Sequence, residues 1–155
     1  MKDILIRGGT LLTVRGEQRA DLRIGGERIA EIGAELPAGD AQVIDATGKL
    51  VMPGGIDPHT HLDLPMFGTV SSDDHYTGLK AAAFGGTTTV LDFVPLSRPT
   101  LAESIEVWQA KAELNAAIDY GFHMNITRLD AGVRSEIPRL ADRGITTLKV
   151  FTAYN

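Results

Sequence analysis

Apolar and polar positions alternate with a period of two over the first third of the chain. In Asp3–Arg7, Ile4 and Ile6 share one face and Leu5 takes the other. Gly8-Gly9 offers a turn into a second run, Leu11–Val14, and Gly16 offers the next. Ala20–Ile24 and Arg28–Ile32 flank Gly25-Gly26. Two alternating runs joined by Gly-Gly predict a hairpin, because glycine supplies the positive φ that a tight turn needs. Val43–Asp45 and Lys49–Met52 complete a small β unit without any helical period.

The pattern changes at Pro53-Gly54-Gly55. Gly55–His59 reads as a strand. Ser72–Phe84 carries Ser and Asp cap candidates ahead of Leu79–Ala83, which predicts a helix ended by Gly85-Gly86. Thr87–Val94 is β-branched and apolar, as a buried strand is. Thr100–Ala117 spaces Leu101, Ile105, Trp108 and Ala112 along one helical face. Asp119–Ile126 reads as a strand, Arg134–Arg143 as a helix closed by Gly144, and Thr146–Phe151 as a strand. The rhythm βα, βα, βα, β predicts an α/β fold with parallel strands, either a doubly wound sheet or a (β/α)8 barrel. Both collect their chemistry at the C-terminal ends of strands.

Composition narrows the function classes. The 155 residues suffice for a buried core, and 17 glycines between short β-branched runs suit tight turns rather than a flexible linker. The net charge of −5, with scattered basic residues, gives no broad attraction for nucleic acid or an anionic membrane. There is no cysteine, which excludes disulfides and thiolate ligands and fits a reducing cytoplasm. The opening MKDILIRGGT lacks the apolar run of a signal peptide, and no segment has the length of a membrane span.

Two features carry candidate chemistry. In GGIDPHTHLD, His59 and His61 stand two residues apart at the end of the first strand of the βα series. Alternate strand residues share a face, so two neutral imidazoles can converge on one divalent metal; two polar loop residues are the other reading. Lys149 interrupts the apolar run TTLKVF. It is either a lysine whose ammonium snorkels to water, or a buried amine whose pKa falls far enough to react with carbon dioxide. His75 reads as a surface or helix-start residue and His123 as a hydrogen-bonded structural residue. Asp57 either orients a neighbour or caps a turn. Asp92 either supports the metal neighbourhood or only packs. Asp63, Asp73 and Asp74 read as loop or capping carboxylates.

In order and spacing, PGGIDPHTHLD, GGTTTVLDF, DYGFHM and LKVFTAY resemble the hydantoinase and dihydropyrimidinase branch of the cyclic amidohydrolases. The resemblance implies the first half of a metal-dependent (β/α)8 TIM-type barrel preceded by a small N-terminal β domain. It implies two divalent ions, zinc foremost, with His59 and His61 on one ion and carbamylated Lys149 bridging both. It implies that Tyr154 hydrogen-bonds the substrate carbonyl, and that Leu64 and Phe151 line the pocket for the substrate's exocyclic group. The implied reaction opens hydantoins or dihydropyrimidines to N-carbamoyl amino acids in a cytoplasmic homotetramer, with a small cyclic ureide or imide as substrate. Allantoinase and dihydroorotase share the first motif. A non-catalytic, dihydropyrimidinase-like assembly protein is the reading from another class.

The resemblance also sets the expected extent. Residues 1–52 correspond to an incomplete β-sandwich-like domain, and residues 53–155 to barrel strands one to four. Two further histidines and an aspartate of the site are expected after Asn155. The 155-residue polypeptide alone is therefore expected to bind at most one metal weakly and to lack hydrolase activity.

Overall fold

The computed structural model describes residues 2–152. Two compact units divide the chain, Met1–Pro53 and Gly54–Asn155. Among the described residues no helix is long and apolar enough to cross a membrane.

The first unit is a five-stranded sheet of β1 (Ile4–Thr13), β2 (Gly16–Gly25), β3 (Arg28–Gly33), β4 (Gln42–Asp45) and β5 (Leu50–Val51). The order is β3-β2-β1-β4, with β5 continuing along β1. The neighbours β1–β2 and β2–β3 are antiparallel, whereas β4 and β5 run parallel to β1. Leu11, Ala20 and Leu22 form its core with Ile6, Ile24 and Val51 against them.

Gly8-Gly9 does not turn the chain as the pattern predicts. β1 runs straight through it, and the register with β2 slips between Ile6 and Gly9. Gly8 has φ +73°, and a Cβ there would stand 2.9 Å from Thr47 Oγ1. The extra residue is absorbed as a bulge, which glycine permits at positive φ. Buried Asp21 accepts the Gly8 N–H at 2.8 Å and the Leu36 N–H at 3.0 Å, so the amide freed at the bulge keeps a partner.

The second unit contains β6 (Gly55–Thr60), a short hairpin of β7 (Pro65–Met66) and β8 (Thr69–Val70), α1 (Thr77–Phe84), β9 (Thr87–Val94), α2 (Leu101–Glu113), β10 (Asp119–Ile126), α3 (Ala131–Glu136) and β11 (Leu148–Val150). The strands β6, β9, β10 and β11 form one parallel sheet in that order. Each new strand is added on the same side. A doubly wound sheet reverses direction at its switch point, so sequential order selects the barrel architecture and gives the first half of one.

Local chemistry explains the helix boundaries. The first predicted helix begins five residues late, because Asp74 Oδ1 accepts the N–H groups of Tyr76 at 2.9 Å and Thr77 at 2.7 Å and so caps the helix there. A capping box starts α2: Thr100 Oγ1 accepts from Glu103 N–H, and Glu103 Oε2 accepts from Thr100 N–H. The same helix stops at Glu113 rather than Ala117, where Asn115 Nδ2 donates to the Lys111 carbonyl. The predicted helix over Arg134–Arg143 is broken. The helix α3 starts earlier, on the Asp130 cap, and gives way to two 3-10 turns at Ile137–Arg139 and Ala141–Arg143. Pro138 has no N–H for a helical bond, which accounts for the break.

The buried face of α2 supplies Leu101, Ile105 and Trp108 to the main core, with Val94, Met124, Ile126, Val133, Leu140 and Ile145. Leu62, Leu79 and Val90 form a second, smaller cluster. The strand β6 itself is exposed along most of its length. It lies close to β9 at its start, where a Cβ on Gly54 would come within 2.2 Å of the Thr88 side chain.

Candidate metal centre

The end of β6 is shaped by a local turn. Exposed Asp57 accepts the His59 N–H through Oδ1 at 3.0 Å, an Asx-type bond that curls the chain into the histidines. The Nε2 atoms of His59 and His61 come within 3.3 Å, with the rings at 88°. Two nitrogens bound tetrahedrally to one zinc at about 2.0–2.1 Å would stand about 3.3–3.4 Å apart. The pair therefore fits as two ligands of one divalent ion. Among the described residues, no cluster of three or more His, Cys, Asp or Glu side chains is placed to hold a metal.

One aromatic ring gathers the site. Phe93, near the end of β9, lies 4.7 Å from the His59 ring, 5.2 Å from His61 and 4.7 Å from His123, centroid to centroid. From β11, half-buried Lys149 holds its Nζ 4.2 Å from the centre of the same ring. Its ammonium is also 5.0 Å from the Phe151 ring, a cation–π arrangement on two faces. His61 is held below the usual imidazole pKa by burial first, then by Lys149 and His59, with Asp92 opposing. A neutral ring is the form that can ligate.

His123 on β10 is hydrogen-bonded on both nitrogens. Nε2–H donates to the Pro58 carbonyl at 2.9 Å, and Nδ1 meets Thr147 Oγ1. The ring ties β10 to the turn before His59, which agrees with a structural role. Leu64 is buried in the main core and donates its N–H to Ser71 Oγ at 2.8 Å. Phe151 is exposed at the end of β11. Tyr154 lies outside the described residues. Asp63 pairs with Lys111 at 2.7 Å, and Asp74 is the cap described above.

His75 corrects the sequence reading. It is 2% exposed, not a surface residue. Its Nε2 stands 3.6 Å from Oδ2 of Asp92, which is 1% exposed. Burial pushes the His75 pKa down, with Asp92 and Asp63 opposing and Lys111 assisting. Asp92 is fully engaged. Oδ2 accepts Trp108 Nε1–H at 2.9 Å and Oδ1 accepts Leu62 N–H at 3.2 Å, while Thr60 Oγ1 lies 3.3 Å from both Oδ1 and the Leu91 carbonyl and shares its one proton between them. The sequence left Asp92 between supporting the metal neighbourhood and packing, and gave no sign of its Trp108 and His75 partners. Nothing in the polar run SDDHY signals that its histidine turns inward.

Residues 42–91 match the Amidohydrolase family. A D-hydantoinase of Geobacillus stearothermophilus is 50% identical over 97% of this chain and 32% of its own length. A dihydropyrimidinase of Arabidopsis thaliana is 42% identical over 97% of this chain and 29% of its own. The crystal structure of dihydropyrimidinase from Brevibacillus agri superposes with a TM-score of 0.94 at 49% identity, covering 99% of this chain and 34% of that one. The chain thus spans about a third of the length of the relatives it matches. Over that third it is similar to the hydantoinases and dihydropyrimidinases in both sequence and fold.

Proposed function

We propose that this chain supplies the first part of a metal-assisted active site that hydrolyses the cyclic amide of a hydantoin or dihydropyrimidine. The observation that carries the proposal is the 3.3 Å approach of His59 Nε2 and His61 Nε2 at a strand end. Similarity to enzymes named D-hydantoinase and dihydropyrimidinase supports it and gives the substrate class.

In this reading His59 and His61 would hold a divalent ion, and Lys149, as its carbamate, would supply a further carboxylate ligand for a two-ion site, with zinc the first choice of metal. When bound, the ions lower the pKa of water at the site and polarise the carbonyl under attack. Water adds to the ring carbonyl, the C–N bond of the ring breaks, and the departing nitrogen takes a proton. The product is an N-carbamoyl amino acid. Asp57 and His123 hold the turn that carries the histidines. Phe93 lies against the end of the Lys149 side chain, and the amine would give up its proton on taking up carbon dioxide. Tyr154 would donate to the carbonyl oxygen as charge builds on it, and Leu64 and Phe151 would shape the pocket. The rest of the proposal is a cytoplasmic homotetramer, with residues 1–52 as a separate β domain and residues 53–155 as barrel strands one to four.

The test uses the protein as its gene encodes it. Ring opening of dihydrouracil and of hydantoin is followed with zinc, after chelation, and in His59→Ala. Zinc-dependent opening that is lost in both other cases is expected. Activity that survives chelation and His59→Ala overturns the reading.

A further inference from the structure

We propose that Asp92 is a positioning residue for the histidine pair, acting through the two residues that flank His61. This rests on the metal reading above and adds to it a residue that touches neither ion nor substrate.

The geometry divides the carboxylate into two halves. Oδ1 faces the end of β6 and the residues after it: it accepts the Leu62 N–H at 3.2 Å, and the Thr60 hydroxyl, 3.3 Å away, shares its one proton between Oδ1 and the Leu91 carbonyl, also at 3.3 Å. Those residues are the immediate neighbours of His61 on either side. Oδ2 faces the core, accepting Trp108 Nε1–H at 2.9 Å, with His75 Nε2 at 3.6 Å. Trp108 is itself 2% exposed and fixed on α2. One buried carboxylate thus ties the most exposed strand of the sheet to the most buried helix.

A packing role alone does not account for this. A carboxyl group at 1% exposure is costly unless its hydrogen bonds are met. An apolar residue in TTTVLDFV would fill the volume without that cost. What an apolar residue cannot do is fix the backbone on both sides of a histidine. The 3.3 Å approach of the two Nε2 atoms is a property of two residues on a bending strand end, where the register with β9 slips between Asp57 and Thr60. The ladder resumes at the Thr60–Asp92 pair, the last of the register, and the Asp92 side chain extends the hold on the chain to Leu62 beyond it. Two nitrogens held at ligand spacing before an ion arrives lose less freedom on binding.

The experiment measures zinc affinity by competition with a chromophoric chelator, in the gene-encoded protein, beside the Tm of the metal-free form. The variants are His59→Ala, Asp92→Asn, Thr60→Val and Thr60→Ser. Asparagine must set an NH2 group against either Trp108 Nε1–H or Leu62 N–H, so Asp92→Asn is expected to weaken zinc binding about 10–100-fold. Thr60→Val removes one of the two grips and is expected to weaken it at least about threefold at unchanged Tm, while Thr60→Ser, which keeps the hydroxyl, stays within about twofold. If Asp92→Asn does not fold, the Thr60 pair decides. Zinc affinity within twofold of the parent in Thr60→Val, or in a folded Asp92→Asn, overturns the positioning role, provided His59→Ala loses zinc. Unchanged zinc affinity in His59→Ala instead overturns the metal reading itself, and the positioning role with it.

Discussion

His59 and His75 sit sixteen positions apart in opposite surroundings. His59 is exposed at the end of β6, bonded to the neighbouring Asp57 and facing a second histidine. His75 is sealed at the start of α1, 2% exposed, with a buried carboxylate 3.6 Å away. Asp92 stands between the two regions, since its other oxygen grips the chain around His61. In the proposed reading the open region carries the ligand chemistry, and the closed region, packed against α2 and β9, carries the rigidity. Each region should therefore fail differently when altered.

The largest effect belongs to the closed region. Trp108 packs in the main core, donates to Asp92 and lies under the Lys111 ammonium at 4.3 Å. Trp108→Ala removes a large buried side chain and strips Asp92 Oδ2 of its donor, so a loss of about 3–5 kcal/mol is expected. Thermal unfolding of the metal-free protein measures it. A shift no larger than a surface substitution gives would mean that the two regions share the load equally. The open region gives the converse result. His59→Ala or His61→Ala should weaken zinc binding by more than about 100-fold, above the effect of losing an outer partner. The metal-free Tm should barely move, because the pair contributes little packing. A large fall in Tm would break the comparison from the other side.

Acid should separate them next. Burial lowers the folded-state pKa of His75 from its ordinary value near 6.5. The unfolded chain then binds the proton more readily than the folded one. The stability gained from the neutral ring is complete above about pH 6.5 and is lost as pH falls from there through the lowered folded value. The groups facing the ring are Asp92, Asp63 and Asp74, which oppose the shift, and Lys111, which adds to it. The free energy of unfolding, measured by denaturant titration between about pH 7.5 and 5, should fall with pH in that window, at no more than the one-proton limit of about 1.4 kcal/mol per pH unit. His75→Leu should flatten the slope. An equal slope in that variant would assign it to other groups.

The open region was legible in the sequence and the closed one was not, for a physical reason. A ligand pair on a strand needs a spacing of two, and a spacing is a local property that residues 59 and 61 display without any partner. The four parallel strands of the second unit were legible too, since Thr87–Val94 and Asp119–Ile126 have the apolar runs of buried strands and form at those bounds, whereas the short β7–β8 hairpin was not read. Burial of His75 depends on α2 and β9, which lie far along the chain, and its polar neighbours look outward in any local pattern. Gly8-Gly9 misled for a related reason. A glycine pair permits a turn or a bulge, and pairing of β1 with β2, β4 and β5 along its length chose the bulge.

The smallest expected effect tests the comparison most closely, because it pits two carboxylates against each other on one segment. Asp57 holds His59 N–H from the solvent side at 3.0 Å, and Asp92 holds Leu62 N–H from the core side at 3.2 Å. The lengths are alike and the surroundings are not. In Asp57→Ala, water replaces the lost acceptor, so a cost of about 0.5 kcal/mol is expected. In Asp92→Ala, water does not reach the Leu62 N–H or the Trp108 Nε1–H, and each donor left unpaired costs about 1–3 kcal/mol. The Tm of Asp57→Ala should therefore sit close to the parent while that of Asp92→Ala falls well below it. Equal shifts would show that solvent reaches both sides of the histidine segment, and the division into an open and a closed region would not hold.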